Sequence, residues 1–99
     1  MVTLPRWLAR RRVRRVSVTT APADVLLQSV AVLRHVGARV VRCDVEDGTL
    51  EARLVAGARL RLSASEEAAG SRVTLETEGA DWHGVARTLA HELAHGGTT

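Results

Sequence analysis

The chain of 99 residues contains no lysine, isoleucine, asparagine, tyrosine or phenylalanine, and only one cysteine and two prolines. Each shortage excludes something. A single thiol, Cys43, cannot form a disulfide within the chain, which fits the reducing cytoplasm. Because lysine is absent, all 14 basic side chains are arginine. The missing residue types share AT-rich codons, so a GC-rich bacterial genome accounts for the pattern, and arginine alone is no sign of phosphate recognition. No apolar run approaches the ~18 residues that a membrane-spanning helix needs. Nor does an apolar core follow the charges that end at Arg15, as a secretory signal would require.

The net charge of +3 is unevenly placed. Six arginines and no acid precede residue 16, whereas the remainder carries eight arginines against eleven acids. Basicity therefore belongs to the N-terminus, and the body of the chain is acidic. Residues 1–11 read as a separate basic amphipathic segment ahead of a single domain over residues 12–99. Leu4, Trp7 and Leu8 share one side of a short helix starting near Pro5, with Arg6, Arg10 and Arg11 elsewhere around it. Trp7 together with Arg6, Arg10, Arg11 and Arg12 is the candidate contact for an anionic surface or an acidic partner. The alternative is a short helix that covers one edge of the domain.

From Arg12 to Thr19 the pattern is that of a strand. Thr20-Ala21-Pro22-Ala23-Asp24 then reads as a helix entry, with Thr20 as cap, proline in the first turn and an acid near the positive dipole end. That helix should bury Val25, Leu26, Ser29, Val32, Leu33 and Val36 and stop at Gly37, leaving His35 in solvent. Four strands follow. Arg39–Glu46 and Thr49–Val55 are joined by the hairpin signal Asp47-Gly48, and Ala56-Gly57 turns into Ala58–Ala64. An acidic loop, Ser65–Gly70, leads to Ser71–Thr77. The last helix should start near Asp81 and end near Gly96.

The expected fold is α+β: a two-layer sandwich in the order β-α-β-β-β-β-α, with an antiparallel sheet covered on one face by two helices. Alternation assigns Val16, Val18, Val41, Cys43, Val45, Leu50, Ala52, Leu54, Leu60, Leu62, Val73 and Leu75 to the covered face. Cys43 is thereby expected to be a small core residue rather than a nucleophile. The other face should carry Arg15, Arg42, Arg53, Arg59, Arg61 and Arg72 among Asp44, Glu46, Glu51 and Glu76. Nothing aromatic stands there, which argues against base stacking and sequence-specific nucleic-acid recognition. Arg42, Arg53, Arg59 and Arg61 are the candidate sheet-face interaction residues.

His91-Glu92-Leu93-Ala94-His95 resembles the H-E-x-x-H motif of zinc peptidases. The resemblance implies His91 and His95 as zinc ligands and Glu92 as the base for a metal-bound water, in a minimal zinc-dependent hydrolase. The helix phase points elsewhere. At about 100° per residue, Val85, Ala86, Leu89 and Leu93 cluster around the Trp82 direction, and His91 and His95 fall roughly 180° and 220° from it. Gly96-Gly97-Thr98-Thr99 supplies no further ligand, so the expectation is a polar helix face with no catalytic or metal residue.

Two larger resemblances concern layout. The element order is similar to a single TATA-box-binding-protein-like repeat. The entry Val16-Ser17-Val18-Thr19-Thr20-Ala21-Pro22-Ala23-Asp24-Val25 and the ending Ser71-Arg72-Val73-Thr74-Leu75-Glu76 before a helix resemble a truncated START-like helix-grip domain. The first implies a sheet with one bare face. The second implies a small apolar ligand between helices and sheet. The functional expectation is a small bacterial cytoplasmic domain without enzymatic activity that acts by association with a protein or with itself, as a homodimer. Zinc hydrolysis and apolar-ligand binding are the alternatives.

Overall fold

A computed structural model describes residues 11–54, 57–79 and 84–95; the side chains of Arg11 and His95 fall outside that description. The described elements are β1 (Arg11–Val18), α1 (Pro22–His35), β2 (Arg39–Asp44), β3 (Thr49–Arg53), β4 (Arg59–Glu67), β5 (Gly70–Glu78) and α2 (Val85–His95). The strands form one antiparallel sheet in the order β1-β5-β4-β3-β2, so β1 and β2 are its edges. This is the expected α+β architecture and element order. Neither described helix is long and apolar enough to cross a membrane.

Period-two alternation builds the core. Leu50 and Ala52 of β3, Leu60, Leu62 and Ala64 of β4, and Val73 and Leu75 of β5 are all buried on one face. Val25, Leu26 and Leu33 of α1 and Val85, Ala86, Leu89 and Leu93 of α2 close over them. Each fully buried leucine contributes about 1.5–3 kcal/mol by leaving water. Ser29 is buried among them without cost in polarity, because its hydroxyl donates to the Val25 carbonyl at 2.6 Å.

Several local expectations are corrected. The cap of α1 is Ala21, with no side-chain bond, rather than Thr20. The Thr20 carbonyl instead accepts a 2.6 Å hydrogen bond from the Ser71 hydroxyl, tying the helix entry to β5. The loop expected over residues 65–70 is mostly strand. The β4–β5 ladder continues through Ser65↔Arg72 and Glu66↔Ser71 to Glu67↔Gly70, and Arg72 Nε stands 2.8 Å from Glu67 Oε1. The continuing backbone ladder carries both glutamates despite their weak strand preference, with the exposed Arg72–Glu67 pair adding little. β2 ends at Asp44 because its carboxylate accepts the Asp47 N–H at 3.1 Å, closing the turn before Val45 and Glu46 can pair. The described part of α2 begins at Val85, where the Thr88 N–H reaches the Gly84 carbonyl at 2.9 Å. Asp81, Trp82, His83 and Gly96, and residues 1–10, lie outside the described residues.

The largest correction concerns β2. A register shift between Val40 and Arg42 marks a β-bulge, which puts Val40 opposite Ala52 on the covered face and leaves Val41 48% exposed. Cys43 keeps the covered-face register opposite Leu50 but is exposed, because an edge strand has a neighbour on one side only. Val45, in the turn, is exposed as well.

Gly70 is the position most sensitive to a single methyl. Its φ is +145°, and a Cβ there would run into the Val18 carbonyl oxygen and stand 2.7 Å from Thr19 Cα. Both obstacles are backbone, so neither can turn aside. Gly70→Ala is expected to destabilise the fold by at least about 2 kcal/mol, measured by urea unfolding, whereas Ala at the exposed Gly37 should cost less.

Candidate interaction surface on the open sheet face

Because both helices lie on one side, the other side of the sheet is set by the residues between the core positions. The antiparallel register arranges them in rows that run across the strands. One row reads Arg39, Arg53, Arg59, Glu78 and Arg11 along β2, β3, β4, β5 and β1. The next reads Arg42, Glu51, Arg61, Glu76 and Val13. Beyond it, Asp44, Thr49, Ser63, Thr74 and Arg15 form a mostly neutral row.

The second row alternates in sign and behaves as a solvated sheet should. Arg61 Nη2 donates to Glu51 Oε1 at 2.9 Å, with the two side chains 62% and 38% exposed. Exposure on that scale limits the pair to about 0.2–1 kcal/mol. Glu76 is also engaged. The first row breaks the rule. Arg39 faces Arg53, and Arg53 faces Arg59, at directly opposed positions on three neighbouring strands. Among the described residues none of these three arginines makes an ion pair. Directly opposed like charges are destabilising, by about 0.2–1 kcal/mol per pair.

A hollow of about 310 Å³ opens beside this row. Val41, Glu51, Arg53, Arg59, Arg61, Glu76 and Glu78 form its walls, and Ala52 and Leu60, whose side chains are buried on the helix side, contribute backbone to its floor. The hollow is divided in charge. Three guanidiniums stand on its β3–β4 side, with Arg39 next to them across the ladder and Glu51 of β3 among them paired to Arg61, and two more carboxylates stand on β5. Such a surface can hold an anion against forked guanidinium donors at one end and a donor or cation at the other.

Of the candidate residues read from sequence, Arg53, Arg59 and Arg61 come together in the hollow, and Arg42 stands on the same face outside its lining. Arg39, Glu78 and Val41 were not expected there. The bulge is what turns Arg39 and Val41 outward, and the adjacent valines Val40-Val41 gave no sequence signal for which would face the core. Arg12 is exposed on β1 and pairs with Thr77, on the helix side of the sheet. Trp7, Arg6 and Arg10 lie outside the described residues, and of Arg11 only the backbone in β1 is described. His91 and Glu92 are exposed on α2, opposite the buried Leu89 and Leu93. His95 closes that helix, its side chain outside the description. Among the described residues no group of three His, Cys, Asp or Glu side chains could hold a metal.

The row makes a thermodynamic prediction. Arg53→Gln removes one member of two opposed pairs and should stabilise the fold by about 0.5 kcal/mol in low salt, with the gain shrinking as salt rises. Glu51→Gln, which removes the partner of Arg61, should destabilise by about 0.5 kcal/mol. Urea unfolding at two ionic strengths checks both signs. No known protein-family model matches the chain, and no curated protein matches it.

Proposed function

We propose that this chain is a non-catalytic association domain that docks a protein partner on the uncovered face of its sheet. The observation that carries the reading is the arginine row on β2, β3 and β4, a conflict of like charges that folding alone does not require. Arginine is over-represented at protein interfaces and among the residues that dominate their energetics. The face also offers relief, with a hollow at its centre and neutral Thr49, Ser63 and Thr74 at one flank.

The edges are less suited to the task. β1 carries Arg11, Arg12, Arg14 and Arg15 within five positions, and a strand dense in one charge resists pairing with another chain. β2 is interrupted by its bulge, a second device that blunts strand addition. Docking across the face avoids both. In layout the chain resembles a single TATA-box-binding-protein-like repeat, a family that bends DNA with its bare sheet face, and only the layout carries over. Here charges stand in place of the apolar wedges used on DNA, which favours a polar protein partner. Buried side chains of both helices and the sheet meet in one apolar cluster, which gives the START-like reading less support. The reading assigns the domain to a bacterial cytoplasm, where the exposed Cys43 thiol would stay reduced.

Photo-crosslinking inside cells tests the proposal. A crosslinking amino acid introduced at Ser63 or Thr74, on the open face, should give a discrete adduct with a protein. The same group at Arg87 or Leu27, exposed on the helices, should not. Adducts from the helix positions alone, or none from the sheet positions, would contradict it.

A further inference from the structure

Resting on the open-face reading, we infer that the docked partner presents an acidic segment, with two or more carboxylates seated on the row Arg39–Arg53–Arg59. Neighbouring strands lie about 4.8 Å apart, so the three arginines span roughly 10 Å across the sheet. Carboxylates about 5–7 Å apart, the spacing of i, i+4 on a helix or i, i+2 on a strand, can reach adjacent members of the row. Each guanidinium offers a planar fork that matches a carboxylate. Bringing the two together also removes the repulsion between Arg53 and its two neighbours, so part of the binding free energy is stored in the unbound sheet.

The same face disfavours a nucleic-acid strand. Each strand of a duplex presents one phosphate per about 3.4 Å of axis, so a backbone laid across the arginine row would continue over the carboxylates of β5. Glu78 stands directly opposite Arg59 in the same row, and Glu76 lines the same hollow. The described part of the face offers no aromatic ring for a base to stack on. A protein segment can confine its acids to one stretch and set a neutral or basic residue against Glu78.

The test is a binding titration of the full chain with a fluorescently labelled peptide that carries three glutamates at alternate positions within a neutral Gly/Ser sequence, in low salt, followed by anisotropy. Wild type should bind. Arg53→Gln and Arg59→Gln should each weaken binding about tenfold, the worth of a charge-assisted contact. Arg87→Gln, which removes the same charge from α2, should stay close to wild type. Each variant is first shown to be folded by urea unfolding. An equal loss in all three variants would mean attraction to bulk charge and overturn the assignment. Tighter binding of a single-stranded oligonucleotide of matched charge through the same arginines would replace it with a nucleic-acid partner. Self-association abolished by Arg53→Gln, with no peptide binding, would replace it with a second copy of the chain. Sheet-face crosslinks in cells without peptide binding would remove the acidic partner while leaving face docking standing.

Discussion

The open surface of this domain follows from the fact that both described helices pack on one side of the sheet. Strand alternation gathers Leu50, Leu60, Leu62 and Leu75 on a single face, and α1 and α2 cover that face with their own apolar stripes. No described element covers the reverse face, so its side chains answer to water and, on the proposed reading, to a docked partner. Polar and charged residues at those positions satisfy the first requirement in many arrangements. The arrangement present satisfies it poorly in one row and well in the next.

That contrast is the physical content of the candidate surface. Glu51, Arg61 and Glu76 alternate in sign across neighbouring strands, the pattern that cross-strand electrostatics rewards. One step along the strands, Arg39, Arg53 and Arg59 repeat the same sign across three of them. Exchanging one of these arginines for a neutral residue would relieve the repulsion without touching the core. Sites that break a local rule without helping the fold are where function is to be sought. The hollow beside the row and the division of charge across it turn a general expectation into a surface with a polarity and a direction.

Much of this was legible in the sequence. Alternating apolar residues gave the element order and most of the covered face, and helical spacing correctly turned Val85, Ala86, Leu89 and Leu93 inward and His91 outward. The same spacing placed His91 and Glu92 of the H-E-x-x-H stretch away from the core. What remained hidden was local and cooperative. A bulge between Val40 and Arg42 cannot be read from two consecutive valines, yet it sends Val41 and Arg39 to the open face and completes the arginine row. The pairing of Glu67 with Arg72, which extends the β4–β5 hairpin, depends on register rather than on propensity. Cys43 is exposed for a reason of topology, since only the assembled strand order reveals that β2 is an edge.

If an acidic partner sits on the arginine row, backbone amide chemical shifts register it directly. On adding an acidic peptide to the isotopically labelled full chain, shifts should concentrate at Arg39, Arg53, Arg59 and their neighbours on β2, β3 and β4. Amides of α1 and α2 should stay in place. Shifts confined to the helices, or scattered in proportion to exposed arginine wherever it occurs, would contradict it.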